Sequence, residues 1–191
     1  TRVMRPALLL GREEELALLS DWLARPDSGC MFVTGMGGIG KSALVREFIC
    51  RNRQQFDFVL FLRYSASLQK TLADDLQAGI STVEKNDAET QAEYFCRKMR
   101  SFRALAEGKR CALVIDDFPG TPDEALPQVL NADWKVLFLS RSAPPVSGCE
   151  VLQLGPIARR ADQQALFEAC LGRKTPPQLQ GSLDGILDKT G

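Results

Sequence analysis

Histidine is absent from the 191 residues. That removes the Ser-His-Asp and Cys-His catalytic pairs, the commonest zinc ligand and the only side chain that titrates near neutrality. Chemistry must then come from carboxylates, lysine, arginine, hydroxyls or a bound ion. Net charge is also missing, because 24 Lys and Arg balance 24 Asp and Glu. No global field draws the chain to nucleic acid or to an acidic membrane, although a local basic patch is still allowed. Cysteine is present at Cys30, Cys50, Cys96, Cys111, Cys149 and Cys170, but no Cys-x-x-Cys pair occurs. The six are spread through mostly apolar stretches and read as reduced core residues rather than a disulfide framework or metal site. The longest unbroken aliphatic and aromatic run is Phe58 to Leu62, far below the roughly 20 residues that cross a bilayer. With no signal-peptide pattern at the start, a soluble, cytoplasmic protein with no membrane partner is expected.

What is there suffices for one α/β domain: 45% of the residues are hydrophobic, and the length allows a sizeable core. Short β-rich runs bounded by turn residues occur at Cys30 to Thr34, Phe58 to Tyr64, Cys111 to Ile115, Lys135 to Leu139 and Glu150 to Leu154. Helical stripes alternate with them, at Leu16, Leu19, Trp22 and Leu23; at Leu44, Val45, Phe48 and Ile49; at Leu68, Leu72, Leu76 and Ile80; at Phe95, Met99 and Phe102; and at Leu166, Phe167, Cys170 and Leu171. That alternation predicts a three-layer sandwich, a mainly parallel five-stranded sheet flanked by helices. Residues 1–28 read as an N-terminal segment and helix belonging to the same domain, and residues 29–191 as its core. The final Asp188-Lys189-Thr190-Gly191 reads as a stop in mid-fold, so a longer parent chain is expected.

The strongest chemical signal is Gly35-Met36-Gly37-Gly38-Ile39-Gly40-Lys41-Ser42, which fits G-x-x-x-x-G-K-[ST] between an expected strand and an expected helix. The glycines let backbone N–H groups turn inward, and the helix N-terminus adds its dipole, giving a nest for a polyphosphate. In this reading Lys41 reaches the β and γ phosphates and the Ser42 hydroxyl ligates Mg²⁺. A glycine-rich turn that binds nothing would cost strand and helix stability with no compensating contact. This is a P-loop NTPase pattern.

Ala112-Leu113-Val114-Ile115-Asp116-Asp117 supplies the matching Walker B strand, apolar and ending in two carboxylates. Asp116 would hold Mg²⁺ and Asp117 would orient or deprotonate the attacking water; alternatively the two simply open the turn at Phe118-Pro119-Gly120. The strand Lys135 to Leu139 runs into Ser140-Arg141-Ser142 at the carboxyl edge, where open α/β sheets place ligands. Arg141 there is either a γ-phosphate sensor with a catalytic role or a solvated loop residue. Arg97, Lys98, Arg100, Arg103, Lys109 and Arg110 surround the stripe of Tyr94, Phe95, Met99 and Phe102, and read as a solvated face more than a nucleic-acid surface.

Taken in order, these segments resemble the nucleotide-binding domain of STAND-class NTPases, the NB-ARC or AP-ATPase group of immune proteins and bacterial regulators. Leu10-Gly11-Arg12-Glu13 is similar to its hhGRE signature, Gly35 to Ser42 to its GMGGIGK[ST] loop, Leu113 to Asp117 to its Walker B strand, and Leu137 to Ser142 to its sensor strand. The resemblance implies that Leu10, Gly11 and Arg12 line adenine and ribose, and that Arg141 senses the γ-phosphate. It further implies an ATP/ADP switch with slow Mg²⁺-dependent hydrolysis, homo-oligomeric when full-length, with sensor and effector domains outside this chain. Ala43 stands where a second hydroxyl often follows the loop lysine, which weakens the expected α-phosphate contact. The family's Gly-x-Pro element, helical domain and winged helix would follow Gly191, so this piece is expected to be mainly monomeric. The alternatives are an AAA+ or origin-recognition-like ATPase acting on DNA, and a nucleotide-binding scaffold without hydrolysis; nucleic acid is otherwise not an expected partner.

Overall fold

The computed structural model describes residues 3–26, 29–75, 84–130 and 134–190. Five strands, β1 (Cys30–Thr34), β2 (Phe58–Arg63), β3 (Cys111–Phe118), β4 (Lys135–Ser140) and β5 (Glu150–Gln153), form one sheet in the order β2-β3-β4-β1-β5. Every pairing is parallel. The helices are α1 (Glu13–Ala24), α2 (Lys41–Arg51), α3 (Leu68–Asp75), α4 (Gln91–Ala106), α5 (Leu126–Leu130), α6 (Arg160–Leu171) and α7 (Gln180–Thr190). Leu76 and Ile80, expected on the third helix, lie outside the described residues.

Strand alternation produces the three layers. Phe32, Leu113, Ile115, Val136 and Phe138 face α3, α4 and α5 in one core, while Met31, Val33, Val114, Leu137 and Leu139 face α1 and α2 in the other. The first core is dense with aromatics; Phe32 stacks on Phe138 at 4.7 Å between centroids, for example. The helix α4 begins with a reciprocal capping box between Thr90 and Glu93. One side chain departs from the solvated face read from the sequence. Lys98 is wholly buried, its ammonium donating to the Ala73 carbonyl of α3 and lying 5.2 Å from the Tyr94 ring. Its stripe of aromatics is wide enough at the α3 contact to enclose one cation, and the carbonyl offsets part of the desolvation.

The N-terminal segment is fastened to the P-loop helix. Glu47 on α2 is buried and accepts two N–H bonds from Arg5, both 2.8 Å, and one from Arg51. The Arg5 hydrogen bond above all holds the Glu47 carboxyl below the ordinary glutamate range. A depressed folded value means this stabilisation is complete above the pH where a free glutamate ionises, and is lost as pH falls through the lower folded value. Glu47→Gln is therefore expected to destabilise the chain by about 1–2 kcal/mol at pH 7 and by much less in strong acid. Urea melts of both proteins at the two pH values check this; equal differences at both would remove the ionic explanation.

Candidate functional site

Between β1 and α2 the chain passes through Gly35, Gly38 and Gly40 at φ of 147°, 79° and 101°, a backbone that side-chain-bearing residues rarely adopt. At Gly35 space is short as well: a Cβ would sit 2.7 Å from the Leu154 carbonyl oxygen just beyond β5. At Gly38 and Gly40 a Cβ would meet nothing within 4 Å, so there the loop's conformation and not its packing demands glycine. No side chain caps the start of α2, which leaves its first-turn N–H groups directed into the loop. Lys41 folds back, its ammonium 2.7 Å from the Gly35 carbonyl oxygen and 2.8 Å from that of Met36. Burial, and after it the charge of Arg141, holds that ammonium below the ordinary lysine range.

The strand β4 separates β1 from β3, so the loop must lean across one strand to reach the acidic strand. It does so: the Ser42 hydroxyl donates to Asp116 Oδ1 at 2.9 Å. On β3 the pairing with β4 steps from Ile115↔Phe138 to Phe118↔Ser140, one residue more on β3 than on its partner, which is a bulge. The bulge holds both acids, and Asp117 takes the left-handed conformation at φ 58°. The two neighbouring carboxylates thereby diverge. Asp116 turns to Ser42, and Asp117 turns to Arg63 at the end of β2, whose guanidinium donates twice to its Oδ2 at 2.9 and 2.8 Å. Arg63 went unread in the sequence, yet it stands at a strand's carboxyl end, the position where such sheets collect ligand residues.

Arg141 follows β4, as its strand-end position suggested, and its guanidinium lies over the loop: a Cβ on Gly37 would be 3.3 Å from Arg141 Cζ. Lys41, Asp117, Ser140, Arg141 and Ser142 line one cleft of about 300 Å³. A second cleft, of about 340 Å³, adjoins the other side of the loop and is walled by Ile39, Pro156, Ile157, Leu166 and Phe167, with Arg12 and Gln163 as polar members. Of the three residues assigned to base and ribose by resemblance, Arg12 lines this cleft, whereas Leu10 and Gly11 do not. Gly11 instead packs where a Cβ would sit 2.8 Å from Ile157 Cγ2. Arg12 is buried and spent on Glu15 (2.7 Å), the Gly155 carbonyl (2.8 Å) and the Ile39 carbonyl (3.3 Å). It braces the N-terminal segment, the loop and the end of β5 against one another.

Positive-φ glycines, an uncapped helix start, a lysine, an arginine and a hydroxyl–carboxylate pair thus converge at one edge of the sheet. The profile of the AAA ATPase domain family matches residues 8–133, which include the loop, the acidic strand and Arg63. The chain belongs to that family. Two solved structures similar to this AAA ATPase domain are Cdc6p from Pyrobaculum aerophilum (17% identity, TM-score 0.55, 82% of this chain and 48% of that one) and the Orc1 protein of Aeropyrum pernix in complex with DNA (16%, 0.60, 86% and 50%). The chain therefore spans about half the length of either. No curated protein matches it. The STAND subclass suggested by the sequence motifs is not what these comparisons return; they support the broader AAA ATPase assignment.

Membership of this family implies a bound nucleotide, usually with Mg²⁺. The residues fit both. The open backbone at Gly38 and Gly40 leaves room for phosphate oxygens, and one hydroxyl beside one carboxylate suits a hard cation whose other ligands are phosphate oxygens and water. No cluster of three or more acidic or cysteine ligands exists among the described residues, so an all-protein metal cage is not built among them. Arg141→Ala is expected to lower ATP affinity several-fold more than ADP affinity, because the extra charge of ATP lies on its γ-phosphate. Calorimetric titration with each nucleotide measures the difference; equal losses would return Arg141 to an ordinary loop residue.

Proposed function

We propose that this domain binds ATP and ADP with Mg²⁺, hydrolyses ATP slowly, and uses the two states to switch a larger protein that acts on DNA in the manner of origin-recognition ATPases. The observation that carries the nucleotide chemistry is the Ser42–Asp116 hydrogen bond with Lys41 in the same loop. It brings the hydroxyl and carboxylate that would share Mg²⁺ within 2.9 Å of each other across an intervening strand. Lys41 and the N–H groups of the loop would hold the phosphates, and Arg141 would report on the γ-phosphate. Asp117 would orient the attacking water once released from Arg63, and Mg²⁺ would supply charge neutralisation at the phosphates. The ties of Arg5 to Glu47 and of Arg12 to Gly155 support treating residues 1–28 as part of the NTPase domain.

For the DNA-directed part, the support is likeness of fold to the Cdc6p and Orc1 structures. The STAND-type switch is the rival reading, supported by the Leu10-Gly11-Arg12-Glu13 signature and the Gly35 to Ser42 loop. In the STAND-type reading the full-length protein would assemble into a homo-oligomer. Of the basic residues on and after α4, Arg100, Arg103, Lys109 and Arg110 are exposed, but Arg97 is paired with Glu89 and Lys98 is buried, so this face would contribute only a few phosphate contacts. DNA affinity of the chain is expected at about 10⁻⁴–10⁻⁶ M, falling as salt is raised. Filter binding at two salt concentrations tests it. Absence of salt-dependent binding would favour the STAND-type switch.

A further inference from the structure

Away from the nucleotide clefts, at the opposite end of β1 and β5, two cysteines stand side by side. The register pairs Met31 with Glu150, so the residues one step earlier, Cys30 and Cys149, face each other across the same pair of parallel strands. Both are half-buried and pack against the same core cluster as Phe32, which puts their side chains on one face of the sheet. Adjacent strands lie about 4.8 Å apart, within the roughly 4.4–6.8 Å Cα separation that a disulfide spans. Cys111 begins β3, two strand spacings from β1, or about 10 Å, beyond that reach. Cys50, Cys96 and Cys170 sit on α2, α4 and α6.

We propose that Cys30 and Cys149 are a redox-sensitive thiol pair, reduced at rest, that a peroxide or a low-molecular-weight disulfide converts to a bridge clamping edge strand β5 to β1. Cys149 is the entry point, since it lies at the foot of the edge strand, directly after exposed Ser147 and Gly148. Burial, and after it a hydrogen bond with Cys149, pushes the Cys30 thiol well above the ordinary cysteine range, so Cys30 does not react first. Its place beside Cys149 across the two strands makes the second step intramolecular. With peroxide, the Cys149 thiolate attacks one oxygen, the O–O bond breaks, and sulfenic acid and hydroxide result, the hydroxide taking the proton that Cys149 released to become water. The Cys30 sulfur then attacks the Cys149 sulfur, the S–O bond breaks, and the hydroxyl leaves as water with the Cys30 proton. Two thiols are oxidised and one peroxide is reduced to two waters. With oxidised glutathione, the Cys149 thiolate attacks one sulfur, that S–S bond breaks and one glutathione thiolate leaves. Cys30 then displaces the second glutathione from the mixed disulfide.

The clamp joins the feet of the two strands whose upper ends carry the Leu154–Thr34 backbone bond and the Gly155–Arg12 contact. It closes no nucleotide cleft, and stands or falls apart from the ATP reading. The test treats the folded, full chain with hydrogen peroxide or oxidised glutathione, alkylates residual thiols, digests without reduction and maps cross-linked peptides by mass spectrometry. The expected result is a Cys30–Cys149 peptide pair, reversed by dithiothreitol, kept in Cys111→Ser and lost in Cys149→Ser, with amide exchange across residues 150–153 slowed at least tenfold in the bridged chain. Recovery of both thiols alkylated, or a bridge between other cysteines, would overturn it, and wild-type mapping alone suffices should Cys149→Ser fail to fold.

Discussion

Lys41→Ala should lower ATP affinity by roughly 10²-fold or more, the largest loss expected from any single side chain. Within the loop Lys41 brings the one mobile positive charge, and charge-assisted bonds to phosphate are about twice as strong as neutral ones. Its ammonium donates to the Gly35 and Met36 carbonyls within the loop, which places it where it would donate to phosphate oxygens. Burial first and Arg141 second lower the Lys41 pKa against the opposing charges of Asp116 and Asp117, and a phosphate would add further negative charge beside the ammonium. Calorimetry on the variant, with a thermal melt to show that it is folded, reads the loss. Unchanged affinity in a folded variant would remove the P-loop from the account.

The second large effect separates Asp116 from Asp117. Asp116→Ala removes the carboxylate that Ser42 meets at 2.9 Å and should reduce the Mg²⁺-dependent part of ATP affinity. Asp117→Asn should leave affinity nearly unchanged and slow turnover by roughly 10²–10⁴-fold, the usual cost of losing a positioned base. The bulge makes the split physical, because it sends one carboxylate to the loop and the other to Arg63. Parent-rate hydrolysis by Asp117→Asn would assign the water-orienting role elsewhere.

Much of the fold is legible in the amino-acid sequence itself. The five strands are where short β-rich runs are bounded by turn residues, and burial on both faces makes the inner strands β1, β3 and β4 nearly continuous in apolar residues. The phosphate loop is legible because glycine alone readily tolerates the φ values found at Gly38 and Gly40. Strand order is not, since nothing local in Lys135 to Ser140 says that it inserts between β1 and β3. The bulge is equally hidden: a pattern of apolar residues followed by two acids reads the same with or without an extra residue in the ladder. Arg12 shows the limit of resemblance. It stands directly ahead of α1, and its bonds to the Ile39 and Gly155 carbonyls are long-range contacts that leave no mark on neighbouring sequence. Lys98 is obscured for a similar reason, since the width of the apolar face of α4 is set by α3 packing on it and not by the period of its own residues.

The measurement closest to the central claim is a calorimetric titration of the purified chain with ATP, once with Mg²⁺ present and once with Mg²⁺ chelated. Saturable binding at one site per chain, weakened when Mg²⁺ is removed and lost in Lys41→Ala, is the expected result. Absence of binding under both conditions in a chain shown to be folded, or binding equally tight with and without Mg²⁺ and indifferent to Lys41, would contradict the site built from the loop, Ser42 and Asp116.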